Sequence, residues 1–134
     1  MRDLNKIGAE CMVDMEYIGF PITRDVEWVV SNRMTRTWGL CTTWRDSNKC
    51  EIKIASFLLQ DDVPLKQLRT TVLHELAHAY DENKHHHGKE WKAIAEVISD
   101  CYNIDIQQYV TKEEKETLMN TEMYKQKMEK RKET

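Results

Sequence analysis

Glycine and proline are scarce, four and two among 134 residues, so the chain is neither collagen-like nor low-complexity. No apolar run approaches the roughly 20 residues of a membrane span, and Met1-Arg2-Asp3 leads into no secretory signal. The expected location is the cytoplasm, with no membrane partner. Paired cysteines are also missing. Cys11, Cys41, Cys50 and Cys101 form no C-x-x-C element, which argues against a zinc ribbon and against a secreted disulfide framework. They read as small buried apolar residues, with a Cys41 to Cys50 bridge across a hairpin as the less favoured alternative. Nor is there a charge excess. Twenty basic and 23 acidic side chains leave a net charge of -3, which draws the chain neither to nucleic acid nor to an anionic membrane. Contact with DNA would need a local patch, and Arg33, Arg36, Arg45, Lys49 and Lys53, diluted by Asp46 and Glu51, are the residues that could form one.

What is present suits one domain, with 40% hydrophobic and 32% charged residues. Leu4, Ile7, Cys11, Met15 and Ile18 recur at helical spacing and predict an opening amphipathic helix. Beyond Gly19 and Pro21 the period shortens to two. Val26, Trp28 and Val30, then Trp38, Leu40 and Trp44, then Cys50, Ile52 and Ile54 predict three short strands. Arg45-Asp46-Ser47-Asn48 supplies turn residues for an antiparallel hairpin between the second and third. Residues 50 to 55 would offer an edge to which an extended peptide could add.

Asp61, Asp62 and Pro64 mark the start of a helix that runs to about Asp81 with Leu65, Leu68, Val72, Leu76 and Ala79 facing the core. Trp91, Ile94, Ile98 and Cys101 make a second stripe just beyond Gly88. The tryptophans read as packing residues rather than base-stacking platforms. The expected class is α+β: an N-terminal helix, a small three-stranded antiparallel sheet, then a helix bearing the site and further helices. Residues 1–110 form the domain, and residues 111–134 a charged helical tail of alternating lysine and glutamate.

The chemistry lies in His74-Glu75-Leu76-Ala77-His78. Imidazoles four positions apart lie about 40° apart around a helix axis and can grip one ion. Glu75 is placed to take a proton from metal-activated water without occupying a coordination site. Zinc hydrolysis also needs a third protein ligand and one open position. His85, His86 and His87 compete for that place. Adjacency to Gly88, which permits a tight turn, and to the helix carrying Trp91 gives His87 a small lead.

The run His74-Glu75-x-x-His78, eight residues, then His87-Gly88-x-x-Trp91 resembles the SprT-like family of zinc metalloproteases. Upstream, Arg36-x-Trp38-Gly39-x-Cys41, Glu51-Ile52-x-Ile54 and Leu58-Leu59 extend the likeness over about residues 1 to 105. The resemblance implies a zincin-like fold, zinc held by His74, His78 and His87, and peptide-bond hydrolysis with Glu75 as general base. Relatives of the Spartan kind digest proteins crosslinked to DNA, while small bacterial and phage members lack a proven substrate. The zinc ribbon common in the family is missing here, which weakens the case for independent DNA affinity. The competing function is a noncatalytic, zinc-stabilised adaptor that binds a protein or a DNA-bound complex.

Overall fold

The computed structural model describes residues 1–34, 37–84 and 88–102, together with Ile104, Ile106, Thr121, Met123, Lys125, Gln126 and Glu129. Helix α1 spans Leu4–Tyr17 and buries Leu4, Ile7, Cys11 and Met15 of the predicted stripe together with Gly8, while Ile18 stands just past its end, half-buried. The Asp3 side chain caps it by accepting from the Asn5 N–H. Gly19, in the left-handed region (φ 99°), ends it by letting the Phe20 N–H reach back to the Met15 carbonyl.

Strands β1 (Asp25–Ser31), β2 (Gly39–Thr43) and β3 (Lys49–Ala55) form one sheet in the order β1-β3-β2. The β2–β3 pair is antiparallel, as the turn residues predict, but β1 pairs with β3 in parallel. The expected all-antiparallel sheet is therefore corrected to a mixed one. Its cause lies in the central strand. Cys50, Ile52 and Ile54 are fully buried, and a strand so apolar gains most from partners on both sides. The expectation of a free edge at residues 50 to 55 falls with it, because β1 and β2 cover both edges of β3.

The inner face carries Val26, Trp28 and Val30 of β1 opposite Cys50, Ile52 and Ile54. On β2 the inward positions are Gly39, Cys41 and Thr43, so Leu40 points outward and is exposed. The sequence suggested the opposite phase, and a one-residue slip exchanges the faces. Trp44 is likewise exposed, whereas Trp38 and Trp91 are buried and Trp28 packs half-buried against the core. The outer face interleaves charges, with Asp25 opposite Lys49 and Lys53 paired to Glu51 at 3.5 Å. All four cysteines are free thiols, with Cys11 and Cys50 buried and Cys101 exposed. Burial pushes the Cys11 thiol up to about 12, in keeping with a packing role.

A 3-10 turn, Ser56–Leu59, buries Phe57, Leu58 and Leu59 and leads to helix α2, Leu65–Tyr80. Pro64 precedes the first residue of α2, where its fixed backbone angle suits a helix start. Helix α3, Lys89–Tyr102, buries Trp91, Ala95 and Ile98. The Tyr102 hydroxyl donates to the Asp14 carbonyl at 3.2 Å, and Arg69 of α2 pairs with both Asp14 and Glu10, so the three helices are cross-linked. No helix among the described residues is long and apolar enough to cross a membrane.

Helix α1 meets the sheet through Gly8, where an added Cβ would lie 2.3 Å from Cε2 of Trp28. Gly8→Ala gains about 1 kcal/mol of helix propensity but forces a bulky ring aside. Overpacking of this kind costs about 1–3 kcal/mol, so urea denaturation should show a net loss of stability. A variant more stable than the wild type would contradict this packing.

Candidate metal centre

Helix α2 is enclosed to a degree that its expected single stripe does not convey. Gln67, Leu68 and every residue from Thr70 to Ala79 are buried, while Leu65, predicted to face the core, is exposed. Thr70 and Thr71 return their hydroxyls to the Lys66 and Gln67 carbonyls, which keeps these polar groups satisfied inside the fold. His74, Glu75 and His78 sit in this buried stretch, each under a tenth exposed.

One ligand atom from each of the three residues lies within 4.8 Å of the others, a spacing that could hold a metal ion. The imidazole centroids are 5.0 Å apart, and His74 Nε2 lies 3.9 Å from Glu75 Oε1. Nδ1 of His74 is 2.5 Å from the Ile106 carbonyl oxygen, which can only accept, so Nδ1 carries the proton and donates it. That bond leaves the Nε2 lone pair for a cation. Trp91 walls the pair, stacked on His78 at 4.8 Å and 17° and edge-on to His74 at 4.8 Å. Two imidazoles with a carboxylate beside them, ringed by protein, suit a borderline-soft divalent ion such as zinc.

Strand β2 closes the other side. An added Cβ on Gly39 would stand 2.8 Å from Glu75 Cγ and 3.1 Å from Thr71 Cγ2, so only glycine lets strand and helix approach this closely. The Trp38 carbonyl accepts from the Ala55 N–H at 2.9 Å. By the alternation of an antiparallel ladder, Leu40 and Thr42 also turn their main-chain groups to β3, while Gly39, Cys41 and Thr43 turn theirs outward. Asn83 Nδ2 donates to the outward Cys41 carbonyl at 3.0 Å, and the Asn83 N–H donates to the His78 carbonyl at 3.0 Å. Asn83 does both from a left-handed conformation (φ 58°), which asparagine tolerates well. Beyond it opens a polar cleft of about 620 Å³ bordered by Trp44, Arg45, Glu82 and Lys84.

The Cys41 thiol is pushed up by its hydrogen bond with Cys50, by burial and by the nearby Glu75 carboxylate, so it stays neutral. Glu82 is held below the usual carboxylate range by its hydrogen bond and charge contact with Lys84.

Sequence reasoning found His74, Glu75 and His78, and the fold brings them together. His87, the proposed third ligand, lies outside the described residues, as do His85, His86 and Arg36. Tyr80, near the site in sequence, packs its ring on Phe20 at 5.0 Å. Three contributors were missed: Gly39, the Ile106 carbonyl and Asn83. A glycine inside a strand signals close approach, and an asparagine just past a helix signals a left-handed cap. A main-chain carbonyl carries no sequence signal.

Zinc added to the purified chain should raise its thermal midpoint, since a ligand at a hundredfold excess over Kd stabilises by about 2.7 kcal/mol. His78→Ala should lose most of that shift. A wild-type midpoint indifferent to zinc would contradict an ion site here.

Compared with known families, residues 10–126 match the SprT-like family. No curated protein matches the chain. The family match spans well over half of the sequence and includes the buried His74-Glu75-His78 cluster, and the protein belongs to the SprT-like family.

Proposed function

We propose that the chain is a zinc-dependent endopeptidase of the cytoplasm, acting on extended protein segments. The observation that carries this reading is the buried His74-Glu75-His78 cluster in a chain of the SprT-like family. His74, through Nε2, and His78 would hold the ion, with His87 as the third ligand. When bound, zinc supplies a Lewis acid that polarises the scissile carbonyl and makes water acidic enough to attack at neutral pH.

The remaining work falls to the chain itself. Glu75 accepts the proton of the attacking water on a carboxylate oxygen and returns it to the departing amine. Its buried position beside Gly39 fixes where that oxygen stands. The outward main-chain groups of Gly39 accept and donate to a peptide laid along β2, so pairing replaces the lost edge of β3 with one beside the general base. Asn83 takes the Cys41 carbonyl and so ends the free run of that edge. Past this point, substrate side chains enter the polar cleft by Trp44 and Arg45. Main-chain pairing reads little sequence, which suits a protease of broad targets, including proteins associated with DNA.

Cleavage of an unfolded protein should fall by about three orders of magnitude in Glu75→Gln while zinc content stays near one per chain. Assays with and without DNA decide whether DNA is required. Equal cleavage by wild type and variant would defeat this reading, and partner binding retained in Glu75→Gln with no turnover in either form would replace the protease with the adaptor. His87→Ala should lose zinc; if it keeps full affinity while His86→Ala loses it, the third ligand is His86.

A further inference from the structure

Ile106 reaches His74 from 32 residues away, and something must hold its carbonyl against the imidazole. Helix α3 provides the hold through Ser99. The Ser99 hydroxyl accepts the Ile106 N–H at 3.1 Å, and the Ser99 carbonyl accepts the Ile104 N–H at 3.1 Å. The chain beyond α3 is thus folded back by two bonds to one residue. The Ile106 side chain, fully buried in the core, anchors the same turn. The hydroxyl fixes Ile106 on its amino side, and His74 meets the carbonyl on the other.

We propose that Ser99 is a positioning residue for the metal centre, setting the ring orientation and tautomer of His74 through the main chain of Ile106. The inference rests on the reading of His74 as a zinc ligand. Ser99 touches neither ion nor substrate; it decides which imidazole nitrogen carries the proton and where the other points. Without its hydroxyl the Ile106 N–H loses this acceptor, the carbonyl drifts, and the His74 ring is free to rotate or to move its proton to Nε2. Partners of this kind govern metal affinity by about 10–100-fold, and a partner acting at one remove belongs at the lower end.

The test uses the full chain as wild type, Ser99→Ala and Ser99→Thr, the last retaining the hydroxyl. Zinc affinity is measured by competition with a chromophoric chelator, and the His74 tautomer by long-range proton–nitrogen NMR of the metal-free protein. Ser99→Ala should bind zinc about tenfold more weakly and show a mixed tautomer, while Ser99→Thr should keep both wild-type values. Wild-type affinity and an unchanged Nδ1–H signal in a Ser99→Ala protein that is merely less stable would overturn the proposal. An Nε2–H tautomer in the wild type would overturn it even if Ser99→Ala fails to fold. If no form binds zinc while the tautomer still follows the Ser99 hydroxyl, the metal reading fails and the positioning role stands.

Discussion

Two imidazoles and a carboxylate lie inside a helix enclosed on nearly every side, and the surrounding chain is arranged to make that arrangement stable. Unpaired polar groups in such a place cost several kcal/mol each. Distant segments close around the cluster: the Ile106 carbonyl from beyond α3 pairs with His74 Nδ1, the Trp91 ring from α3 packs on both imidazoles, and Gly39 of β2 lies against the Glu75 side chain. The same burial that makes the cluster costly also raises the strength of any charge placed within it.

The sheet follows from this demand. With β3 in the centre, β2 becomes an edge and can lie directly against α2, its glycine over Glu75. A β2 placed inside the sheet would bury its outward main-chain groups under another strand. The mixed topology thus sets a carboxylate beside a strand edge that no other strand pairs among the described residues, and Asn83, just past the end of α2, bounds that edge. Helix end and strand are joined by one residue, whose side chain donates to the Cys41 carbonyl and whose main-chain N–H donates to the His78 carbonyl.

Much of this was legible in the residues. Helix α1 shows its buried stripe at the predicted positions, and Cys50, Ile52 and Ile54 alternate as a strand with one face inside. The cluster on α2 was legible because ligand spacing and helix period coincide. The β2–β3 hairpin was legible from its turn residues, but the partner of β1 was not, because alternation gives a face and no neighbour, and seven residues between β1 and β2 fix no turn. The phase of β2 was misread because Trp38, Leu40 and Trp44 outweigh Gly39, Cys41 and Thr43 in apolarity, while the close contact with Glu75 selects the smaller set. Cys101 and Leu65 fit a helical stripe and are exposed, since period identifies a face without saying how far cover extends. The Ile106 carbonyl belongs to the backbone common to all residues and could be found only in three dimensions.

The central claim is that a cation is held by histidine nitrogens on this buried helix with a position left for solvent. X-ray absorption at the zinc edge of the loaded protein measures this directly. The account predicts a nitrogen and oxygen shell near 2.0–2.1 Å, with the outer scattering of imidazole rings and one light atom exchanged by a small anion. A sulfur-dominated shell, or one without imidazole scattering, would contradict it.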